Sequence, residues 1–183
     1  MLPFFTQVHA TLQAQARLWA EKNLFAGHGS EDLERHARTL VKQLGVAGFL
    51  KHAVSKQFGG VREQVEARDL CILREELARG DALADTMFAL QALGSYPITL
   101  AGNAAHKQKY LSQVASGDAI AAFAITEPEA GSDVAALQTT ALRQGEQFAL
   151  NGTKRFISNA GIADFYVVFA STEPEKKAKG VSA

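Results

Sequence analysis

The chain has 183 residues, 47% of them hydrophobic and 21% charged, and its 19 Lys and Arg balance 19 Asp and Glu. This is the composition of a soluble globular protein, long enough for one large domain or a domain and a half. There is no basic excess to suit nucleic acid or an anionic membrane surface and no apolar run long enough to span a bilayer; the single cysteine, Cys71, excludes an internal disulfide framework.

The opening stretch MLPFFTQVHATLQAQ has no basic n-region, and Thr6, Gln7 and His9 interrupt its apolar residues, so it does not read as an export signal and a cytoplasmic location is expected. Leu12, Leu18 and Trp19 are expected in the core as part of a first helix. Leu33, Ala37, Leu40, Val41 and Leu44 then recur at three- and four-residue spacing, the apolar face of an amphipathic helix. Ser30 is its expected cap, Glu31 and Asp32 fall in its positive first turn, and Gly45 is its expected stop. The FGG segment at 58–60 is a loop. A helix follows over 63–79, with Leu70, Leu73 and Leu77 inward and Gly80 closing it. Cys71 is expected on its apolar side as a buried, inert thiol. Glu75 and Glu76 are expected on its solvated face, with Glu75 and Arg79 as an i,i+4 pair. Asp81 caps a further helix through Met87 and Leu90, and Asn103 another through Tyr110, Leu111 and Val114 that stops at Gly117.

At Asp118 the pattern changes. Segments 119–125, 139–143, 147–150, 153–157 and 165–170 read as short strands, and Asn151–Gly152 favours a type I′ hairpin turn because both residues tolerate positive φ. The predicted fold class is α+β: an all-α helical domain over 1–117, then the beginning of a β-barrel or β-sandwich domain over 118–183. The polar tail STEPEKKAKGVSA turns apolar at Val181, as if another strand were starting. A sheet ending there has an unpaired edge, so the chain is expected to be incomplete.

Two stretches of the β half carry chemistry. FAITEPEAGSD, at 123–133, leaves an apolar strand and presents at once two hydroxyls (Thr126, Ser132), a stiffening Pro128 and a Gly131 that allows close backbone approach. Such a tip suits a polar, ring-bearing ligand such as a flavin, whose ring wants apolar cover and whose edge and pyrophosphate want donors. It also suits a plain Pro-Gly turn with a serine cap. NGTKRFISNAG, at 151–161, sets Phe156 and Ser158 two apart on a predicted strand, hence on one face, able to stack on a flat ring and bond its rim. An ordinary hairpin strand with a core Phe gives the same pattern. Other chemistries find no footing. His9, His28, His36, His52 and His106 form no HExxH or i,i+4 pair, so no metal site is expected; there is no GxSxG, no Walker-type loop and no GxGxxG after a strand.

FAITEPEAGSD followed by LNGTKRFISNAGIADFYVVFA resembles the flavin-binding middle domain of the acyl-CoA dehydrogenases. FGG at 58–60, EELARGD at 75–81, LGSYPI at 93–98 and KQKYL at 107–111 are similar to that family's N-terminal helical domain. The resemblance implies FAD as cofactor. Phe123, Ala124, Ile125 and Thr126 would lie along the isoalloxazine, with Thr126 bonding its polar edge. Gly131 and Ser132 would approach the flavin and its pyrophosphate, and Ser132 could also touch the acyl-CoA substrate. Phe156 would cover a ring face where many members have Trp, and Ser158 would reach the ring near N5 where many have Thr, with Ile157 between them. The implied reaction is α,β-dehydrogenation of an acyl-CoA thioester, with a carboxylate base taking the α-proton and hydride passing to flavin N5. The resemblance puts that base in a C-terminal helical domain absent from this sequence, so the fragment alone is expected to be inactive. It further implies an electron-transfer flavoprotein or oxygen as acceptor, and a homo-oligomer, commonly a tetramer. Two alternatives stand beside this reading: a non-catalytic flavin-binding or interaction fragment, and a flavin-dependent oxidase or monooxygenase of the same fold.

Overall fold

A computed structural model describes residues 4–24 and 32–183. The expected Ser30 cap, Glu31 and His28 lie outside the described residues. Helix α1 (Gln7–Asn23) packs along α3 (Ala67–Gly80), α2 (Leu33–Val46) lies against α4 (Ala82–Ala101), and α3 and α4 pack on each other. Leu12, Leu40, Leu44, Leu73, Leu77, Met87 and Phe88 fill the core between them, so the 3.6-residue apolar periodicity becomes buried faces. Asp32 caps α2 by accepting from the Arg35 N–H at 2.9 Å, and Asp81 caps α4 by accepting from the Leu83 N–H at 2.8 Å.

Several expectations for this half need correction. Gly45 does not stop α2. It lies inside the helix, buried where a Cβ would overlap the Ser116 carbonyl, so its smallness serves helix crossing. On α1, Leu12 is buried and Trp19 meets Phe49 edge-on at 5.3 Å, but Leu18 is exposed. On α3 the inward stripe is Asp69, Ile72, Leu73, Glu76 and Leu77, which turns Cys71 outward, so the thiol is exposed. The same stripe buries Glu76 completely. Its carboxylate accepts two bonds from the Arg17 guanidinium (3.0 and 2.7 Å) and one from Gln13 (3.0 Å), and Arg79 pairs with it at 3.6 Å. Glu76 is thus an interhelix tie between α1 and α3. The Arg17 guanidinium outweighs the cost of burial and holds its carboxyl below the usual range. Asp69, also fully buried, accepts two bonds from Arg62 (2.8 and 2.9 Å) and faces His52 Nδ1 at 2.8 Å.

Helix α4 continues through Pro97 and delivers the chain to α5 (Ala104–His106), a π turn (Lys107–Leu111) and α6 (Ser112–Ser116), with Asn103 accepting from the His106 N–H at 2.8 Å. Strand β1 (Ala121–Ala124) follows and pairs in parallel with β4 (Phe165–Val168). A second sheet has the order β3-β2-β5-β6, from β2 (Thr140–Gln144), β3 (Gln147–Asn151), β5 (Ala170–Ser171) and β6 (Val181–Ser182). The hairpin turn falls at Gly145–Glu146, between the paired Gln144 and Gln147, with Gly145 at φ 64°. The turn expected at Asn151–Gly152 is therefore corrected: Asn151 ends β3, and Gly152 presses so closely on Thr139 that a Cβ would overlap it. The strand expected over 153–157 is also absent. That stretch is a loop with Phe156 at φ 57° and Asn159 at φ 66°. Among the described residues no helix is long and apolar enough to cross a membrane.

Candidate functional site

The two motif stretches meet. Strand β1 carries its chain out to Thr126, whose carbonyl accepts from the Arg155 N–H at 2.8 Å, while Lys154 Nζ donates to the Ile125 carbonyl at 3.0 Å. The reason lies in a charge pair, one member in each motif. Glu127, 5% exposed, receives Lys154 Nζ at 2.8 Å and the N–H groups of Gln138 (2.6 Å) and Thr139 (2.9 Å). Burial alone would push its carboxyl up, but the Lys154 ammonium and these donors bring it down to about 2. Glu127 is therefore a structural anion that clasps the two loops. Sequence reasoning did not find the clasp. Its only signal was an acid in one motif and a base in the other.

The nine expected cofactor-binding residues divide into committed and open groups. Ala124 is buried and its carbonyl accepts from the Phe169 N–H at 3.0 Å; Phe123 packs on Phe169 with ring centroids 4.9 Å apart. Ile125 and Thr126 are half-buried at the strand end, with their carbonyls taken by Lys154 and Arg155. Glu127 and Ala130 exchange backbone bonds (3.0 and 3.3 Å) that close the turn, beyond which Gly131 and Ser132 are exposed, with open space where a Gly131 Cβ would stand. Phe156 is 79% exposed, its ring 4.4 Å from the Arg155 guanidinium. Ile157 is half-buried and Ser158 exposed. Because the stretch is not a strand, Phe156 and Ser158 do not share a sheet face. The structure joins Thr126 directly to the loop of Phe156, while no hydrogen bond links Ser132 to Phe156 or Ser158. Ser158 opens on a cleft of about 310 Å³ between α2, α4 and its own loop, with Ala37, Leu83, Met87 and Ile162 among its walls.

This donor set fits a flavin. The hydroxyls of Thr126, Ser132 and Ser158 have no partner among the described residues, and an exposed aromatic stands beside the strand tip. Those are the groups a flat heteroaromatic ring with a polar rim calls for. Among the described residues no cluster of His, Cys, Asp or Glu could hold a metal ion.

The family model for the acyl-CoA dehydrogenase N-terminal domain matches residues 6–118, and that for the acyl-CoA dehydrogenase middle domain matches residues 122–183. An acyl-CoA dehydrogenase of Bacillus subtilis (strain 168) is 36% identical over 180 residues, covering 97% of this chain and 47% of that protein. The crystal structure of acyl-CoA dehydrogenase from Geobacillus kaustophilus superposes with a TM-score of 0.83 at 31% identity, covering 100% of this chain and 48% of that one. A glutaryl-CoA dehydrogenase from Mycobacterium smegmatis in complex with FADH2 gives a TM-score of 0.80 at 29% identity, covering 92% and 44%. The chain spans about half the length of the curated relatives it matches. With both domain models matched in order and relatives above 30% identity along almost all of its length, the chain belongs to the acyl-CoA dehydrogenase family.

Proposed function

We propose that these residues form the helical and flavin-contacting parts of an FAD-dependent acyl-CoA dehydrogenase. The observation that carries the reading is the junction of the two motifs: the 2.8 Å bond from the Arg155 N–H to the Thr126 carbonyl, with the unpartnered Thr126 hydroxyl and the exposed Phe156 next to it in sequence. FAD supplies the hydride acceptor for α,β-dehydrogenation. The chain's own part is to hold and orient it. Thr126 Oγ1 would bond the ring's polar edge, Phe156 would cover a face, Ser158 would bond near the reacting position, and Ser132 would serve the pyrophosphate and the acyl-CoA. The name of the Bacillus subtilis relative and the FADH2 complex of the Mycobacterium smegmatis neighbour support this substrate class and cofactor.

The catalytic base is neither Glu76 nor Glu127. Glu76 is locked to Arg17 and Gln13, and Glu127 is held ionised by Lys154 and two amides. Both are too stabilised as anions to take a proton from carbon.

The test is flavin binding and reduction by the full-length protein. It should purify yellow, or take up added FAD, and bleach on adding an acyl-CoA. Thr126→Val should keep the fold and weaken FAD binding, or slow its reduction, about fivefold, the worth of one hydrogen bond to a neutral ring. A protein that takes up no FAD overturns the reading, and unchanged affinity and reduction rate in Thr126→Val remove Thr126 from the site.

A further inference from the structure

Among the described residues, strand β1 is paired on one edge only. Its even-numbered residues face β4: the Ile120 carbonyl accepts from the Asp164 N–H at 2.8 Å, and the Ala124 carbonyl accepts from the Phe169 N–H at 3.0 Å. Its odd-numbered residues face the other edge, where no strand pairs with it. Two side-chain amides stand there instead. Gln91 of α4, fully buried, donates Nε2–H to the Ala119 carbonyl and accepts the Ala121 N–H on Oε1, both at 2.7 Å. Asn159 donates Nδ2–H to the Ala121 carbonyl at 2.9 Å. Together they satisfy both backbone groups of Ala121, as the peptide groups of a neighbouring strand would. Gln91 cannot be rotated without setting its oxygen against a carbonyl, so its orientation is fixed by its partners.

Asn159 adjoins Ser158, and it organises the loop. Its φ of 66° reverses the chain, a conformation Asn tolerates better than most residues, and its own carbonyl accepts from the N–H groups of Ile162 (3.1 Å) and Ala163 (2.9 Å). The loop is tied elsewhere by Arg155 to the Thr126 carbonyl, by the Gly161 N–H to the Tyr166 hydroxyl at 2.9 Å, by the Arg38 guanidinium on the Ile162 carbonyl at 2.6 Å, and by Asp164, whose carboxylate accepts the Ile120 N–H at 2.8 Å. The Asn159–Ala121 bond is the tie of the loop to β1 nearest Ser158, one residue from that exposed hydroxyl.

We propose that Asn159 is a positioning residue: anchored on β1, which Gln91 holds from the helical side, it sets where the Ser158 hydroxyl stands relative to the flavin. This rests on the flavin reading above. The arrangement couples α4 to the cofactor loop through a single strand residue, Ala121. Gly94, one helical turn along from Gln91, lets α4 come this close, since a Cβ there would stand 2.7 Å from the Ala121 Cβ.

The experiment is a double-mutant cycle in the full-length protein loaded with FAD, on Asn159→Gly, Ser158→Ala and the pair. Its readouts are the FAD dissociation constant, the visible spectrum of bound FAD and its midpoint potential, with Tm recorded beside them. Asn159→Gly keeps the positive φ and loses only the amide. It should weaken FAD binding about fivefold and shift the spectrum in the same sense as Ser158→Ala. The pair should do no more than either single change, because a displaced hydroxyl has nothing left to lose. Gln91→Met should shift the spectrum in the same direction by less, and it carries the same cycle should Asn159→Gly not fold. Additive effects, or a lowered Tm with unchanged affinity, spectrum and potential, overturn the positioning role while leaving the flavin reading intact. A wild-type protein that takes up no FAD overturns both.

Discussion

The helical half and the β half both bury carboxylates, and they differ in where the cationic partner ends. Glu76 and Asp69 are fully buried, but the side chains of their arginines reach water: Arg17 is 43% exposed and Arg62 33%. Glu127 is nearly as buried, and the side chain of its partner Lys154 is only 12% exposed. An arginine with its tip in solvent is rehydrated when its acid is removed. A buried ammonium is not. The same type of pair therefore costs different amounts to break, according to which partner can still reach water.

The largest expected effect is on Glu127→Gln. It leaves Lys154 buried beside a neutral amide and should destabilise the protein by about 3–5 kcal/mol in chemical denaturation. The pH dependence sharpens this. The unfolded carboxyl titrates near 4.5 and the folded one near 2, so between these values the unfolded chain binds the extra proton. The stability this group contributes is complete above pH 4.5 and is lost as pH falls towards 2. At 1.36 kcal/mol per pH unit it amounts to about 3 kcal/mol. Glu127→Gln should flatten that part of the acid-unfolding curve. A variant as stable as wild type at pH 7, or with the same acid slope, would break the comparison from the β side.

Glu76→Gln should cost less, about 1–3 kcal/mol, since Arg17 swings into water and Gln13 can still find an acceptor in the new amide. Its acid slope also runs in the carboxylate direction: the stability is present above the unfolded value of 4.5 and is lost as pH falls below it. A loss from Glu76→Gln as large as that from Glu127→Gln would show that solvent access of the partner does not set the cost.

The two halves were also unequally legible from sequence. Helices announce themselves by periodicity and caps, and Asp81, Asn103 and the Leu40–Leu44 and Leu73–Leu77 spacings lie where those rules put them. What periodicity mistakes is a polar residue on the inward stripe: Asp69 and Glu76 are buried because distant Arg62 and Arg17 meet them, and nothing local to α3 says so. In the β half the two motif strings were recognisable as strings, but their geometry was not. Asn151–Gly152 and Gly145–Glu146 are both acceptable turns, and only the β2–β3 register selects the second. Once it does, the 153–157 stretch has no strand to pair with, and Phe156 takes a positive φ that no propensity favours. Asn159 carries no local sequence signal for its role. Its bond to Ala121 is a long-range fact.

The smallest expected effect concerns Cys71, which the apolar spacing of α3 would bury and the charged inward stripe turns out. It borders an open, mostly apolar cleft of about 500 Å³ between α3 and α4, beside Leu70, Phe88, Leu93 and Tyr96. A thiol reagent should therefore label it stoichiometrically in the folded 183-residue chain without denaturant, at a rate within about tenfold of that in urea, because no unfolding step has to precede reaction. Cys71→Ser should shift stability by no more than about 0.5 kcal/mol, the range for surface positions. Were the thiol of the 183-residue chain protected until it unfolds, α3 would have to be rotated about its axis. Asp69 and Glu76 would then leave their arginines, and the contrast between helical and β carboxylates would lose its structural basis.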